Sequence, residues 1–268
     1  MDLLLVKLGG SLITDKTREE TPRHEVIDRL AGEIARGTVG TTGTEARFRL
    51  VVAHGSGSFG HVAARRHGIG QGPLAPDQLA GATRTQERAA ALHRIVVASL
   101  VAAGALPFSL APSSCVVAAA GQPVAVATEP LLLALKHGLV PVLYGDVVLD
   151  REWGAAICST ENLFRALAPR LQACGVLIRG VLWLGETDGL WDATGRTVPQ
   201  VTAETFAGAL QAIGAPAGTD VTGGMRHRLE TAMELVGIGI PSLLANGLIP
   251  GLLERVLRDE AVAGTEVL

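Results

Sequence analysis

Two glycine-rich turns are the segments of this sequence best suited to hold a phosphate. They are residues 7–11 (KLGGS) and residues 54–61 (HGSGSFGH), and each directly follows an apolar run typical of a buried strand. Glycine lets backbone N–H groups approach an anion closely, and a strand that turns sharply into a helix aims those groups at one point. The two turns therefore predict a two-sided phosphate cradle, and a kinase is the first functional hypothesis.

Two lysines could supply the positive charge that such a cradle needs. Lys7 stands at the end of the first strand, where its ammonium would project to the carboxyl edge of the sheet, and Lys16 follows in the next loop. During phosphoryl transfer, charge develops on the oxygens of the moving group, and fixed cations stabilise it. The alternative is that Lys7 only extends from an edge strand to solvent and that Lys16 is an ordinary solvated lysine.

The second turn carries a histidine at each end. His61 would begin the helix after the turn, where an imidazole could hold an acceptor phosphate or carboxylate that the loop N–H groups surround. His54 lies at the end of the preceding strand, and the sequence favours a core histidine whose ring is hydrogen-bonded to backbone. We therefore expect His61, and not His54, to contact a substrate.

The head of a predicted helix at residues 159–162 (STEN) could face the same crevice. Ser159 or Thr160 can cap this helix, and the same N-terminus could also face a phosphate. Glu161 could be a charge partner that holds the lysine side chains in position, rather than a base.

Two further segments could contact a nucleotide. Gly223 and Gly224 open a helix that carries Arg228 one turn in, which suits a nucleotide phosphate although such an arrangement is weakly specific alone. Thr187, Asp188 and Gly189 follow a predicted strand, and they could form the wall next to the nucleoside or be simply a turn.

Composition limits the class of protein and its partners. The chain has 268 residues, of which 48% are hydrophobic and 3% aromatic, so Val, Leu, Ala and Ile must fill the core. A formal net charge of −3 gives no global attraction to nucleic acid or to an anionic membrane. The three cysteines lack a metal-ligand or C-x-x-C spacing, and no basic-then-apolar leader opens the sequence. We expect a soluble, cytoplasmic protein with a small-molecule partner.

The sequence alternates short apolar runs with segments of helical spacing. The predicted strands are residues 3–8, 49–53, 106–110, 140–144, 176–184 and 242–245, and the predicted helices are 24–36, 79–103, 129–137, 160–173, 203–211 and 225–236. The uncharged stretch 95–128 is broken by glycines and prolines, which predicts a helix end, a strand and a loop rather than a membrane span.

This alternation predicts a three-layer αβα sandwich with a mainly parallel central sheet. Residues 1–268 would form one domain, with an approximate phosphate-acceptor lobe at 1–175 and a nucleotide lobe at 176–268.

The motifs taken together resemble those of the isopentenyl phosphate kinases, in the amino acid kinase superfamily. The resemblance runs from residue 3 to residue 267, and most of its single motifs are shared across the superfamily. The GSFGH turn together with the ITDK segment is more specific, and it narrows the field to isopentenyl phosphate kinases and the related fosfomycin kinases. The motifs are residues 6–11 (VKLGGS), 14–16 (TDK), 54–61 (HGSGSFGH), 144–150 (YGDVVLD), 187–189 (TDG), 220–225 (DVTGGM) and 264–267 (GTEV).

The resemblance implies ATP-dependent phosphorylation of isopentenyl monophosphate to the diphosphate, in a homodimer that needs Mg²⁺ only as the counter-ion of ATP and binds no metal through the protein. By position, Lys7 would bridge the transferred phosphoryl group, Lys16 would contact the outer ATP phosphates, and His61 would hydrogen-bond the acceptor phosphate. No general base is needed, because the acceptor phosphate is already an oxyanion near neutral pH.

The remaining site residues divide between the two substrates. The acceptor side comprises Gly55, Ser56, Gly60, Ser159 and Thr160, and the ATP side comprises Gly9, Gly10, Ser11, Ser56, Thr187, Asp188, Gly189, Gly223, Gly224 and Arg228. The apolar tail of the acceptor would lie between the helix after His61 and the alanine-rich helix 79–103.

Three positions depart from the family pattern. Ser56 replaces the middle of three glycines, Glu161 stands where an aspartate is usual and is one methylene longer, and Arg228 replaces a nucleotide-contacting lysine. These changes affect fine positioning and leave the reaction class unchanged.

Two other functional classes stay open at this point. A fosfomycin-type or other small-acid kinase would need extra polar groups in the acceptor pocket. A non-catalytic nucleotide-binding protein would be expected to lose Lys7 or Lys16, and the sequence retains both.

Overall fold

The computed structural model describes residues 2–38, 47–70, 72–213 and 224–268. Within these residues the chain forms both strands and helices. The strands are β1 (Asp2–Leu8), β2 (Arg49–His54), β3 (Pro107–Ser109), β4 (Val116–Ala119), β5 (Gln122–Val126), β6 (Val140–Tyr144), β7 (Asp146–Asp150), β8 (Gly154–Cys158), β9 (Leu177–Gly185), β10 (Gln200–Val201), β11 (Ser242–Asn246) and β12 (Thr265–Val267). The helices are α1 (Gly10–Ile13), α2 (His24–Thr38), α3 (Gly57–His67), α4 (Leu79–Ala102), α5 (Pro112–Cys115), α6 (Glu129–Lys136), α7 (Thr160–Ala173), α8 (Phe206–Ala212), α9 (Gly224–Val236) and α10 (Leu252–Leu257).

One large sheet organises the molecule. In the described residues it has eight strands in the order β10-β12-β11-β9-β1-β2-β6-β3. Its neighbours are parallel throughout except β11 and β12, which are antiparallel. Strand β1 lies between β9 and β2, and it is buried from Leu3 to Leu8 as a near-continuous apolar run. The alternative that Lys7 extends from an edge strand is therefore wrong.

Helices cover both faces of this sheet. Successive residues of β1 point to opposite faces, so Leu3 and Leu5 belong to one apolar cluster while Leu4 and Val6 belong to another. The first cluster includes residues of α7 and α9, and the second includes residues of α2, α4 and α10. The predicted three-layer αβα sandwich with a mainly parallel sheet is confirmed.

A second sheet was not predicted from the sequence. Its described strands have the order β5-β4-β7-β8, and two of them, β4 and β5, lie in the segment that was expected to be a loop after residue 110. The reason for the error is composition: β4 reads VVAA, β5 reads QPVAV and β8 reads GAAIC, so alanine, glycine and proline interrupt the strand pattern and no aromatic residue supports it. This sheet packs beside α3 and α4, because Val147 of β7 and Ala155 of β8 share a small apolar cluster with Ala64 of α3 and Ala82 of α4.

Most predicted elements are found within a few residues of their expected bounds, and the main exception is α8. It begins at Phe206 rather than at residue 203, because the backbone N–H of Thr202 donates to the Thr205 hydroxyl at 2.9 Å and holds the intervening residues in a turn. None of the described helices is long and apolar enough to cross a membrane.

Candidate active site

The carboxyl ends of β9, β1 and β2 bring the predicted phosphate-binding turns side by side. Lys7 is in register with Trp183 on β9 and with Ala53 on β2, so the turns that follow β1 and β2 leave the same edge of the sheet. The Gly9 N–H donates to Leu184 O at 2.8 Å, which fixes the direction in which the chain leaves β1. This edge is the usual ligand crevice of an open parallel sheet.

The two glycine turns touch through their backbones. A Cβ on Gly10 would lie 2.8 Å from the Gly57 backbone, and a Cβ on Gly55 would lie 2.8 Å from the Gly10 nitrogen. A Cβ on Gly60 would lie 2.5 Å from the Ser56 Cβ, so Gly60 leaves room for the serine that replaces a glycine here. Residues with side chains cannot be this close, and the two turns therefore form one continuous backbone surface.

Thr14 holds this surface together, a role that the sequence did not reveal. Its hydroxyl donates to Gly10 O at 2.7 Å and accepts from the Ser58 N–H at 3.0 Å, which ties the first turn to the second. Gly57, with φ of 51°, packs directly against the same hydroxyl.

Several backbone N–H groups on this surface have no acceptor among the described residues. Among the hydrogen bonds of the described residues, none uses the N–H of Gly10, Ser11, Ser56 or Gly57 as a donor. Ser11 is the second residue of α1, and Gly57 is the first residue of α3. Backbone N–H groups that cluster at two helix starts suit an anion.

Lys7 forms a buried ion pair with Glu161 at the centre of this edge. Both side chains are 7% exposed, and the Lys7 ammonium also lies 5.8 Å from the centre of the Trp183 ring. Burial lowers the pKa of Lys7 to about 8, although the charge of Glu161 opposes this shift. Burial alone would raise the pKa of Glu161, but the charges of Lys7 and Arg228 lower it to about 2. Both groups are charged at neutral pH.

The N-terminus of α7 positions Glu161. Ser159 caps this helix by accepting a hydrogen bond from the Asn162 N–H at 3.1 Å, and the Thr160 hydroxyl donates to Glu161 Oε2 at 3.2 Å. Ser159 also lies 3.3 Å from Nε2 of His227 on α9, so α7 and α9 are linked at the site. No local pattern in the sequence signals this link.

Arg228 reaches from α9 to the ends of β1 and β9. A Cβ on Gly185 would lie 3.0 Å from Arg228 Nη1, and a Cβ on Gly9 would lie 3.8 Å from Nη2. Gly224 is the first residue of α9. Gly223 lies outside the described residues, as do residues 220–222 of the same motif.

The side chains of His61 and Lys16 are exposed. Partial burial lowers the pKa of His61, and the charges of Lys16 and Lys7 lower it further. The charge of Lys16 also lowers the pKa of Lys7. The two lysines and the histidine therefore lie within electrostatic range of one another, as a shared phosphate site requires.

The predicted nucleoside turn follows β9 and is tied to the ends of β11 and β12. The Thr187 hydroxyl donates to Gly189 O at 2.8 Å, and Asp188 accepts from Asn246 Nδ2 at 2.9 Å. Gly189 has φ of 120°, and a Cβ there would lie 2.7 Å from the Thr265 nitrogen. The contacts of the described residues do not join this turn to the Lys7–Glu161 pair.

A small apolar cluster includes Ala64, which follows His61 by one turn on α3. It joins α3 and α4, the two helices between which the acceptor tail was predicted to lie, and it also includes the unpredicted strands β7 and β8. Its buried members are Ala64, Ile69, Ala82, Val147 and Ala155, with Leu74 and Ile157 packed against them.

Comparison with known proteins identifies the family. The family model described as "Amino acid kinase family" matches residues 2–246. Isopentenyl phosphate kinase from Methanothermobacter thermautotrophicus is 30% identical over 99% of this chain and 98% of its own length, and that from Haloferax volcanii is 34% identical over 90% of each. A solved structure of isopentenyl phosphate kinase superposes with a TM-score of 0.80 at 28% identity, over 98% of this chain and 99% of that one. The chain belongs to the amino acid kinase family, in its isopentenyl phosphate kinase branch.

Proposed function

We propose that the protein transfers the γ-phosphoryl group of ATP to isopentenyl phosphate and forms isopentenyl diphosphate. The observation that carries this proposal is the buried Lys7–Glu161 pair at the junction of the two glycine turns. Lys7 lies three residues before Gly10, and the N–H groups of Gly10 and Gly57, which have no acceptor among the described residues, lie where the two turns meet. Relatives that are 30% and 34% identical in sequence are named isopentenyl phosphate kinase, which supports isopentenyl phosphate as the acceptor.

The chemistry needs positioning and positive charge rather than a general base. An oxygen of the acceptor phosphate forms a bond to the γ-phosphorus, the bond from that phosphorus to the β-bridging oxygen breaks, and ADP leaves with the electron pair. Lys7 would contact the moving group, while Lys16 and Arg228 would neutralise the ATP phosphates. His61 would donate a hydrogen bond to the acceptor phosphate, and Glu161 would keep Lys7 charged and fixed.

The side chains around the phosphate track do not suit a metal held by the protein. Glu161 is the carboxylate at the centre of the site, and it is already bound by Lys7. Mg²⁺ prefers oxygen ligands and is usually held together with substrate phosphates. We therefore assign Mg²⁺ to ATP itself, where it would neutralise phosphate charge.

A second candidate is a fosfomycin-type or other small-acid kinase, because the two groups share the GSFGH turn. The apolar cluster beside His61 favours a prenyl tail over a small polar acid. A nucleotide-binding protein without catalysis is the third candidate, and the presence of both Lys7 and Lys16 argues against it.

We further infer a homodimer in the cytoplasm, with an acceptor lobe at 1–175 and a nucleotide lobe at 176–268. Cys115, Cys158 and Cys174 are free thiols, as expected in a reducing compartment. Leu106 and Phe108 are exposed at the edge strand β3, where a second copy could cover them. Light scattering of the purified protein measures its mass in solution and tests the dimer directly.

The first experiment is ADP release from MgATP by the purified protein, with isopentenyl phosphate, fosfomycin, acetylglutamate and UMP offered separately at matched concentrations. We expect fast turnover on isopentenyl phosphate alone. Fast turnover on another acceptor would support a kinase but show that isopentenyl phosphate is not its acceptor. Absence of turnover on all four, with nucleotide binding retained, would favour the non-catalytic candidate.

A further inference from the structure

A chain of hydrogen bonds runs through buried histidines to the second glycine turn. His54, the last residue of β2, is fully buried, and its Nδ1 lies 3.0 Å from Gly55 O. Its Nε2 lies 3.0 Å from Nδ1 of His93 on α4, and His93 Nε2 lies 2.6 Å from the hydroxyl of Ser109 on β3. The expectation of a core histidine at His54 is therefore confirmed. Its ring is hydrogen-bonded to His93 as well as to the backbone.

The protons in this chain have one consistent direction. A carbonyl oxygen can only accept, so His54 Nδ1 must carry a proton and donate to Gly55 O. Burial lowers the pKa of His54 to about 4 and that of His93 to about 3, so both rings are neutral near pH 7. His54 Nε2 then accepts from His93 Nδ1, and His93 Nε2 accepts from the Ser109 hydroxyl.

Aromatic stacking keeps both imidazoles in place. The centres of the His93 and Tyr144 rings are 4.2 Å apart with 24° between their planes, and those of His54 and His93 are 5.3 Å apart with 18°. Because the rings stack, a small rotation of either imidazole is opposed on its faces as well as at its nitrogens. The hydrogen-bond chain is therefore a fixed support for Gly55 O.

Fixing Gly55 O also fixes the Ser56 N–H. The two groups belong to one planar trans peptide, so they point in opposite directions. The Ser56 N–H has no acceptor among the described residues, whereas Gly55 itself packs on the Gly10 nitrogen of the other turn. Glycine at position 55 offers no side chain to limit rotation of this peptide, so an external support is needed.

We propose that His54 and His93 are positioning residues, whose hydrogen-bond chain orients the Gly55–Ser56 peptide so that the Ser56 N–H faces the phosphoryl group in transfer. This role rests on the proposed function. A donor aimed at the moving group acts mainly in the transition state, so its loss should lower kcat more than it raises KM. Misplacement of such a donor by about 1 Å can cost about 100-fold in rate.

The test compares two substitutions at His93. In His93→Phe the ring can still stack on Tyr144 but cannot donate to His54, and kcat for isopentenyl phosphate should fall by about 10- to 100-fold with KM changed less than about threefold. In His93→Asn the amide N–H replaces Nδ1–H, and kcat should recover to within about threefold of the parent. His137→Phe, at an exposed position after α6, is the matched control and should behave as the parent. Full turnover by His93→Phe would overturn the proposal.

An NMR measurement tests the proposed hydrogen-bond chain without a turnover assay. Long-range ¹H–¹⁵N correlation on protein with labelled histidines should find His54 and His93 neutral and protonated at Nδ1, and the Ser56 amide signal should move in His93→Phe but not in His93→Asn. Protonation at Nε2 of His54, or an unmoved Ser56 signal, refutes the proposal even if His93→Phe does not fold well enough for kinetics. A parent protein that shows this tautomer and yet turns over no acceptor would refute the proposed function alone.

Discussion

The Lys7 ammonium and the Glu161 carboxylate, which are 154 positions apart in the sequence, form a buried ion pair at the edge of the central sheet. The two charges face each other because β1 ends where α7 begins. The pair gives Lys7 a fixed direction before any phosphate arrives. Positive charge that is already in place requires little rearrangement during the reaction.

Removal of one partner of this pair should cost more stability than removal of both. Lys7→Met would leave the Glu161 carboxylate buried without its partner, and we expect the free energy of unfolding to fall by about 3 kcal/mol. The double variant Lys7→Met/Glu161→Gln removes both charges and should regain most of this loss. Both variants should lack turnover, because neither carries the ammonium. Urea denaturation and the ADP-release assay measure the two effects.

The control for this experiment is the exposed pair of Arg179 and Asp2, which also joins β9 to β1. Arg179→Met should change the free energy of unfolding by less than about 1 kcal/mol, because solvent screens an exposed pair. A double variant as unstable as Lys7→Met would contradict the interpretation, since the loss would then come from packing rather than from an unpaired charge.

The activity of the free enzyme should decline at alkaline pH as Lys7 loses its proton. Burial lowers the pKa of Lys7 to about 8, and the charged form is the one that can stabilise a phosphoryl group. Therefore kcat/KM should be highest below this pKa and fall above it, with no corresponding loss between pH 6 and 7 from this group. The charged groups that act on Lys7 are Glu161, Arg228 and Lys16.

Substitutions of Arg228 and Glu161 should shift the pH of this alkaline decline in opposite directions. The positive charge of Arg228 lowers the pKa of Lys7, so Arg228→Gln should move the alkaline decline to higher pH even though the overall rate falls. Glu161→Gln should move it to lower pH, because the carboxylate favours the charged lysine. An alkaline decline that stays at the same pH in both variants would assign it to another group.

The glycine at position 57 should be irreplaceable even by alanine. Its φ of 51° disfavours any residue with a Cβ, and that Cβ would overlap the Thr14 hydroxyl that joins the two turns. Gly57→Ala should lower both the melting temperature and turnover, the latter by at least about tenfold. Gly208 in α8 is the matched control, because a Cβ added there would meet no atom within 4 Å. Gly208→Ala should stabilise the helix by up to about 1 kcal/mol and leave turnover unchanged.

Local signals explain which parts of the fold could be predicted. Strand β1 is an apolar run that ends in glycines, so the sequence predicted both the strand and the turn at its end. The four-stranded second sheet was missed, because alanine, glycine and proline in β4, β5 and β8 weaken the pattern. Its pairs β4–β5 and β7–β8 are hairpins of consecutive strands, and the pairing of β4 with β7, which lie further apart in the sequence, joins them into one sheet.

Residue types in the site could be predicted more readily than the contacts between them. Lys7, His61 and Glu161 were expected to be functional, because charged and imidazole side chains beside glycine turns suggest phosphate chemistry. Their partners could not be predicted, because the contact of Lys7 with Glu161 depends on how α7 packs on β1. The bridging role of Thr14 also depends on the close approach of the two turns, which no local pattern encodes.

Substitution of His61 should separate the two substrates of the proposed reaction. His61 is exposed, and the proposed function assigns it to the acceptor phosphate rather than to the nucleotide. His61→Ala should raise KM for isopentenyl phosphate by about 10-fold, which corresponds to about 1.4 kcal/mol, and leave KM for ATP within about twofold. His61→Gln retains an N–H donor on a side chain of similar reach and should recover part of the loss. Steady-state kinetics with each substrate varied in turn measure both constants. If KM for isopentenyl phosphate were unchanged in His61→Ala, the acceptor phosphate would have to be assigned to the N-terminus of α7 instead of to this side chain.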